Sequence, residues 1–426
     1  MNVKFSAVCF AAGFAAASWA ASPVIRDGSV TFSQDSSTRR VTIGYELQGA
    51  PAIVTVDILT NGVSIGSENL AYMAGDVNKR VTVGTHSVSW QPCKAWRGHV
   101  ITDGSVTAKV SAWALNEPPL YMVVDLTAAN SVRYFASAEE LPWGGVTNAI
   151  YKTDCLVLRK CPAENVVWRM GSSTNEPGRI GARETAHLVT LTNDFYFGVY
   201  PVTQQQYFHL TKKWPSYFTA RREMRPVEKL SFNDIRGDYQ SGYDWPKDGY
   251  ALPDGCFLKL LRDHTGGIRF DLPLDAEWEF ACRAGRGTAL YDGSAYTTDN
   301  MHRLGRSKNN GGCDNKGTDC PPTTDPDDGG TTIVGSFPAN DWDIYDLCGN
   351  VWEATRDWYQ EVLTDAIDPN KGPESSPSNW RVFRGGSVTE SEGWSRSAVR
   401  GPKTLADPRL DYGFRVALTL TPDAIP

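Results

Sequence analysis

The sequence predicts a multidomain protein in which an all-β sandwich precedes a second domain of short capped helices, short strands and long loops. From Val24 to about Leu126, apolar and polar residues alternate in short runs separated by Gly, Asn, Asp and Pro, a pattern typical of β-strands. From about Pro162, helix-capping sequences and Gly- and Asp-rich loops replace the alternation. The chain of 426 residues is long enough for two or three domains with cores of their own.

Composition and charge narrow the possible functions. The chain has 41% hydrophobic and 21% charged residues, an ordinary globular profile that excludes a fibre or a coiled coil. Forty-two Lys and Arg stand against 49 Asp and Glu, a net charge of -7, and no polybasic block is present. Because phosphate binding needs a basic stripe, we expect no nucleic-acid partner.

Residues 1–20 have the features of a secretory signal peptide. Lys4 precedes an apolar run that ends in Ser18-Trp19-Ala20, with small residues where a signal peptidase reads the chain. The alternative is a membrane anchor, but this run is shorter than the roughly 20 residues that span a bilayer, and no later segment qualifies. We therefore expect cleavage after Ala20, a secreted or periplasmic protein, and no membrane span.

The region 24–126 predicts a β-sandwich, and its clearest local signal is a hairpin. Asn61-Gly62 separates two apolar runs, and both residues tolerate the positive φ of a two-residue turn. In its strand rhythm the region resembles an immunoglobulin-like module of bacterial exported proteins. No residue of this region is assigned a chemical role, and residues 127–162, which mix polar and small residues, are interpreted as a connector.

The second domain, 163–418, begins with helices whose caps can be read from the sequence. Thr203 and Ser231 each precede a polar side chain three residues on, the arrangement that satisfies the free N–H groups at a helix start. A third helix is predicted after Pro273, with Gly285 as its stop. Residues 419–426 form a tail.

A series of motifs in this domain carries a family resemblance. The motifs are GVYPVT (198–203), RPVEKLSFNDIRG (225–237), FDLPLDAEWEFACRAG (270–285), DIYDLCGNVWEATRDWY (343–359), RVFRGGS (381–387), SRSAVR (395–400) and YGFRVAL (412–418). In this order they resemble the formylglycine-generating enzyme, or sulfatase-modifying factor, family. The resemblance implies a mixed α/β, C-type-lectin-like fold with little regular structure.

The resemblance breaks down at the residues that carry the family's chemistry. Active formylglycine generators hold copper through two cysteines after the Arg-Gly-Gly-Ser turn, and soft thiolates suit Cu(I). Counted from Ser387, Glu390 and Ser395 occupy these positions, and no cysteine follows Cys348. A second branch of the superfamily binds iron through histidines, but the six histidines here are scattered. Neither copper nor iron is supported, and no catalytic residue is assigned.

The resemblance also implies a calcium site. In the family pattern, the side chains of Asp346 and Glu353 and the backbone carbonyls of Gly349 and Val351 bind the ion. Oxygen ligands of this kind suit Ca²⁺. The alternative is a polar turn whose carboxylates only accept backbone hydrogen bonds.

Four residues near the vacated cysteine positions are candidates for lining a cleft: Arg384, Glu390, Trp394 and Ser395. Arg384 also has an alternative role inside the domain, since Arg can brace carboxylates and carbonyls through its fixed fork of donors. The other residues interpreted as internal scaffold are Glu277, Trp278, Arg283 and Arg415.

The cysteines predict one disulfide and several buried thiols. Cys313 and Cys320 bracket a short Gly-containing loop, and in an exported chain two such thiols are expected to pair. Cys155 with Cys161 is a second candidate pair. The cysteines in apolar contexts, interpreted as buried thiols, are Cys256, Cys282 and Cys348.

Three functions remain open. The first is an exported family member that lacks the copper pair, generates no formylglycine, and binds a peptide or glycan. The second is a metal-dependent oxidoreductase of the same superfamily, with iron or copper on other ligands, acting on protein or thiol substrates. The third is a structural surface module without a cleft ligand.

Overall fold

The computed structural model describes residues 21–102, 104–237, 251–313, 329–370, 372, 380–404 and 408–426. Its first part is a sandwich of two sheets. The strands are β1 (Val24–Ile25), β2 (Thr31–Gln34), β3 (Val41–Gln48), β4 (Ala52–Thr60), β5 (Val63–Ser64), β6 (Met73–Gly75), β7 (Arg80–Val81), β8 (Gly84–Trp90) and β9 (Val106–Ala114).

Alternating apolar residues build the core of the sandwich. One sheet runs β1-β3-β8-β6 with β2 beside β3, and the other runs β5-β4-β7 with β9 beside β4. Every second residue of β3, from Val41 to Leu47, is buried against the inward residues of β4. Alternation thus places one face of each strand in the core, and the predicted all-β sandwich is confirmed.

The predicted hairpin turn is also confirmed. β4 and β5 pair across Asn61 and Gly62, whose φ angles are 50° and 80°. Positive φ at both central residues is what a type I′ turn requires, and its twist matches that of the strands it joins.

The second part of the chain contains three sheets and most of the helices. The remaining strands are β10 (Tyr121–Asp125), β11 (Val132–Phe135), β12 (Cys155–Cys161), β13 (Val166–Met170), β14 (His187–Leu191), β15 (Phe195–Gly198), β16 (Trp352–Trp358), β17 (Ala366–Ile367), β18 (Arg381–Arg384), β19 (Gly401–Lys403), β20 (Tyr412–Phe414) and β21 (Ala417–Thr419). The α-helices are α1 (Pro92–Ala95, in the sandwich region), α2 (Ile150–Thr153), α3 (Gln204–Thr211), α4 (Phe232–Ile235), α5 (Phe257–His264), α6 (Asp275–Arg283) and α7 (Thr298–Leu304). The sheet orders are β11-β10-β12-β15-β21, β13-β14-β17 and β19-β18-β16-β20.

The interpretation of 127–162 as a connector is wrong. β11 and β12 belong to the first sheet of the second part, where they flank β10 on either side. The prediction had assigned β10 to the sandwich. Four of the five residues of β10 are buried, so the strand has core on both faces and shows no alternation. A continuous apolar run of this kind does not tell which sheet it joins.

The second candidate disulfide, between Cys155 and Cys161, is also wrong. The two residues end the same strand, β12, and both are buried free thiols. Six residue steps at about 3.3 Å each separate them by roughly 20 Å, whereas a disulfide needs Cα atoms within about 7 Å.

The other cysteine predictions have different outcomes. The three cysteines interpreted as buried thiols, Cys256, Cys282 and Cys348, are buried and free, as expected. Cys313 is buried as well, but Cys320 lies outside the described residues, so the Cys313–Cys320 pairing stays a prediction. The proposed signal peptide, 1–20, also lies outside them.

The helix starts agree with the sequence. Thr203 and Ser231 each accept a hydrogen bond from the backbone N–H three residues on, and both capping boxes are complete. Helix α6 starts with only half a box: Glu277 accepts from the backbone N–H of Leu274 at 2.8 Å, but leucine offers no acceptor in return. Its C-terminus has Ala284 and Gly285 at φ 45° and 87°, so the predicted stop is confirmed.

Within the described parts of the chain, no helix is long and apolar enough to cross a membrane.

Candidate functional site

The candidate site is held by the sheet that contains β16, β18 and β20. Glu353 of β16 lies opposite Arg384 of β18, and Trp352 lies opposite Tyr412 of β20. Helix α6 packs on this sheet with every residue buried. All residues of β16, β18 and β20 are buried as well, so both faces of these strands are covered and their polar side chains must find partners within the protein.

Glu353 finds its partners in Arg415 and Trp278. One carboxylate oxygen of Glu353 accepts from Arg415 Nη2 at 2.6 Å, and the other accepts from Arg415 Nε at 2.9 Å and Trp278 Nε1 at 2.6 Å. The charges of Glu353 and Arg415 are fully buried and paired with each other. Arg415 also donates to the carbonyl of Tyr345 at 2.8 Å, so this pair braces the loop that precedes β16.

Arg384 belongs to the internal scaffold and does not line a cleft. The side chain is 0% exposed and pairs with Asp275 at 2.5 Å and Glu279 at 3.0 Å. Its guanidinium also donates to the carbonyls of Ser397 and Val399 at 3.2 and 3.1 Å. The cleft prediction for Arg384 is wrong because the cross-strand register directs this side chain towards α6, where two buried carboxylates require a cation.

Glu390 forms an ion pair that the sequence analysis did not anticipate. Its Oε1 lies 3.1 Å from Lys403 Nζ, and both side chains keep 18% of their surface exposed. Lys403 Nζ also lies 4.8 Å from the centre of the Trp352 ring, within cation–π range. Lys403 reaches this place because β19 pairs with β18, and no local sequence pattern indicates that pairing.

Ser395 is buried, and its backbone contacts a thiol. In the part of the chain that is described, its hydroxyl has no hydrogen-bond partner. Its carbonyl accepts from Cys348 Sγ at 3.0 Å. A Cβ at Gly386 would lie 2.5 Å from the Ser395 hydroxyl, so this turn needs glycine for space as well as for its φ of 75°.

Trp394 lies between Glu390 and Ser395 in the chain, and its side chain is half-buried. Its ring meets the Trp352 ring edge to face, with centroids 6.2 Å apart, a favourable aromatic geometry. Of the four cleft candidates, Trp394 contacts Trp352 directly and Glu390 is linked to it through Lys403, and both stay partly exposed. Ser395 is buried and, like Arg384, does not line a cleft.

A second hydrogen-bond network fixes the same segment, and the sequence analysis missed it. The buried carboxylate of Asp411 accepts from the Ser387 hydroxyl at 2.8 Å and from the Thr389 hydroxyl at 2.6 Å. Asp411 immediately precedes β20, so the network ties the segment after the Gly385-Gly386 turn to the sheet. This contact spans more than 20 residues of chain and leaves no local signal.

Asp346, in the proposed calcium site, has one carboxylate oxygen without a hydrogen-bond partner among the described residues. Its Oδ2 accepts from the backbone N–H of Gly335 at 2.6 Å, while its Oδ1 is buried without a hydrogen bond from any described residue. Burial raises the pKa of Asp346 to about 6, and the nearby Glu353 acts in the same direction. A buried carboxylate of this kind favours either a proton or a cation.

The loop around Asp346 has a strained backbone. Asp346, Gly349 and Asn350 all have positive φ, at 57°, 75° and 65°. A Cβ at Gly349 would lie 1.9 Å from the carbonyl oxygen of Arg306, so only glycine fits there. The Asn350 side chain bonds the backbone of Thr332 in both directions, at 3.0 and 3.2 Å, and holds the loop in this form.

Comparison with known proteins identifies the family. The model of the sulfatase-modifying factor enzyme 1-like domain matches residues 159–420, more than half of the chain. The chain belongs to this family. The recognised family and the fold class, an all-β region followed by the formylglycine-generating-enzyme-like domain, are thus confirmed.

Several relatives in the family are curated proteins. The formylglycine-generating enzyme of Mus musculus is 32% identical over 161 residues, 36% of this chain and 40% of the mouse enzyme. That of Thermomonospora curvata is 34% identical over 158 residues, 34% of this chain and 48% of the relative. The chaperone protein LppX of Paenibacillus barcinonensis is 28% identical over 247 residues, 54% of this chain and 81% of LppX. The chain thus spans less than half the length of the two enzymes it matches.

Solved structures with similarity to this chain include two bacterial proteins. PvdO from Pseudomonas aeruginosa has a TM-score of 0.45 and 22% identity, covering 62% of this chain and 94% of PvdO. The Treponema denticola variable protein 1 has a TM-score of 0.44 and 20% identity, covering 62% of this chain and 95% of that protein.

The residues of this family member do not fit the copper of formylglycine generators. The two cysteine positions carry a carboxylate already paired with Lys403 and a buried neutral hydroxyl. Cys348, the thiol that contacts Ser395, is fully buried, and burial raises its pKa well above the usual value. The site therefore presents no pair of thiolates, which Cu(I) prefers.

The fit to calcium is better but incomplete. Among the described residues, no group of three or more His, Cys, Asp and Glu side chains is arranged to hold a metal ion. A calcium ion would instead use the free oxygen of Asp346, the remaining lone pairs of Glu353 and backbone carbonyls of the same loop. Arg415 Nη2 lies 2.6 Å from Glu353 Oε1 and 3.5 Å from the Asp346 carbonyl, so it links the two residues and already neutralises one of them.

Proposed function

We propose that this protein is an exported member of the family that generates no formylglycine and acts by binding a peptide or glycan. The observation that carries the proposal is the Glu390–Lys403 ion pair in the place of the first copper cysteine. A carboxylate held by an ammonium group and a buried hydroxyl cannot replace two thiolates as Cu(I) ligands. Without the metal, oxygen is not activated, and a bound peptide is not oxidised.

A binding role is supported by the side chains that remain accessible at this position. Glu390 and Lys403 are partly exposed and offer an acceptor and a donor side by side. Trp394 adds a half-buried ring next to them. An aromatic face beside a few polar groups is the usual composition of a small binding site.

The activity test uses purified protein with Cu(I), oxygen, reductant and a Cys-x-Pro-x-Arg peptide, and follows the peptide mass. We expect no aldehyde from the wild type. Copper-dependent turnover by the wild type would overturn the proposal and favour the oxidoreductase alternative. The double variant Glu390→Cys with Ser395→Cys should gain Cu(I) binding, because it restores two sulfur ligands, while Glu390→Cys alone should not.

The binding test uses the same peptide with a fluorescent label, and a chitotetraose probe in parallel. We expect saturable binding of one probe that weakens in Trp394→Ala and is unchanged in the control Trp380→Ala, which removes a tryptophan that is 41% exposed elsewhere. If neither probe binds, the protein is a structural module.

We also propose calcium as the cofactor that stabilises this domain. The proposal is supported by the buried oxygen of Asp346 that has no hydrogen-bond partner among the described residues, since carboxylate and carbonyl oxygens are the ligands that Ca²⁺ prefers. The ion would neutralise a carboxylate that burial otherwise disfavours.

A further inference from the structure

A large cavity lies between the sandwich and the first sheet of the second part. Its volume is about 1130 Å³, slightly above the usual range of small-ligand sites, which often occur between domains. Strands β4 and β9 form one wall, and β11 with the loop after it forms the other. We call this cavity the interdomain cleft; it contains none of Arg384, Glu390, Trp394 and Ser395.

The interdomain cleft is acidic. Its carboxylates are Asp57, Glu68, Glu139, Glu140 and Asp343, against two cations, Lys109 and Arg133. Arg133 Nη2 donates to the carbonyl of Ser67 at 2.6 Å. Three of the carboxylates also accept hydrogen bonds within the protein, Asp57 from Ser64, Glu140 from the backbone of Ala136 and Asp343 from Tyr121, but these neutral donors leave their charges unpaired. The excess of negative charge in a confined space attracts cations.

Aromatic side chains line the same cleft. Trp143 is 48% exposed and has a positive φ of 63°, a conformation that bulky residues seldom adopt. Trp113 faces the cleft from the sandwich side, with its indole N–H bonded to Thr55 at 2.9 Å. Tyr134 also lines the cleft, and its buried hydroxyl has no partner among the described residues.

We propose that the interdomain cleft binds a cationic peptide segment, with Lys or Arg side chains placed between the carboxylates and the aromatic rings. Arg and Lys suit both surfaces, because they pair with carboxylates and stack on aromatic faces. A neutral oligosaccharide would use the rings but not the excess of acid. This proposal does not depend on what binds near Glu390, since the cleft is a separate part of the molecule.

The test measures the affinity of labelled hexa-arginine by fluorescence anisotropy, with hexa-glutamate and chitohexaose as other probes. The double variant Glu68→Gln with Glu139→Gln removes one charge from each wall and should weaken hexa-arginine binding about tenfold. Trp143→Ala should also weaken it, at unchanged net charge. Lys109→Glu adds acid to the cleft and should tighten binding, a change that a folding defect would not produce.

The matched control changes the net charge equally at a distance from the cleft. Asp27→Asn with Glu164→Gln neutralises two exposed carboxylates that do not line it, and should alter the affinity less than about twofold. Equal weakening in the control and the cleft variant would show non-specific attraction and overturn the proposal. So would the absence of saturable hexa-arginine binding, or binding of chitohexaose alone.

Discussion

Asp346→Asn tests whether the buried carboxylate of Asp346 binds a cation. Burial raises the pKa of Asp346 to about 6, about two units above that of a free aspartate. At 1.36 kcal/mol per unit, holding this charge without a ligand costs the folded state roughly 3 kcal/mol at neutral pH. Asparagine keeps the shape and the bond from Gly335, and carries no charge.

The pH dependence follows from the direction of the pKa shift. The folded state holds the Asp346 proton more tightly than the unfolded state, so it binds more protons between about pH 4 and pH 6. The contribution of this group to the free energy of unfolding is complete below about pH 4, and is lost as the pH rises to about 6. In the presence of chelator, the wild type should lose roughly 3 kcal/mol across this window that Asp346→Asn does not lose.

Calcium should reverse the order of the two proteins. A hundredfold excess over Kd stabilises the wild type by about 2.7 kcal/mol, whereas the variant lacks the ligand oxygen and should gain almost nothing. At neutral pH with chelator, the variant should be at least as stable as the wild type. It gains by losing the buried charge, and the roughly 1–3 kcal/mol cost of burying an unpaired amide N–H offsets that gain in part or in full. With calcium, the wild type should be the more stable protein.

The assay is urea unfolding followed by tryptophan fluorescence, at several pH values, with chelator or calcium. Asp254→Asn is the control, since Asp254 is fully exposed and should behave as wild type throughout. Equal responses of wild type and Asp346→Asn to calcium, together with identical pH profiles in chelator, would refute the reasoning and favour a simple polar turn.

Three further substitutions test the scaffold. Burial raises the pKa of Glu228 to about 8, so the wild type should lose stability as the pH rises from about 4.5 to 8, and Glu228→Gln should not. Urea unfolding at several pH values measures this difference, and parallel profiles of the two proteins would contradict the buried-carboxyl explanation. Arg384→Met removes one of the two arginines that pair with each of the buried carboxylates Asp275 and Glu279 and should cost about 3–5 kcal/mol. Lys403→Met, at a partly exposed pair, should cost under about 1 kcal/mol; equal losses in thermal melts would contradict the assignment of Arg384 to the scaffold. Gly349→Ala places a methyl group against the Arg306 carbonyl at positive φ and should cost at least about 1–3 kcal/mol; an unchanged urea midpoint would show that the loop adapts.

Local features were the ones that could be predicted from the sequence. The capping boxes at Thr203 and Ser231 and the turn at Asn61 depend on residues at most three positions apart, so a single stretch of sequence contains the whole interaction. β10 could not be assigned, because a strand buried on both faces carries no alternating pattern. Its neighbours in the sheet are set by pairings that a single stretch does not contain.

The same distinction applies to the candidate site. Glu390 and Ser395 were assigned to the copper-cysteine positions by counting from the Arg-Gly-Gly-Ser turn, and this assignment stays a prediction. The partner of Glu390, Lys403, follows from the pairing of β18 with β19, a long-range contact. Arg384 was assigned both to the cleft and to the scaffold because the buried carboxylates that it pairs with, Asp275 and Glu279, lie more than 100 residues away in the chain.

The architecture explains how the chemistry of this site can change while the fold persists. The ion pairs of Arg384 with Asp275 and of Arg415 with Glu353 are fully buried, and breaking such a pair costs several kcal/mol. The Glu390–Lys403 pair is partly exposed, and pairs of this kind contribute little to stability. Exchanging residue 390 is therefore nearly neutral for folding, whereas exchanging Arg384 is not. Membership in the family therefore leaves the activity open, and the activity must be argued from the residues of the site, residues 390 and 395 among them.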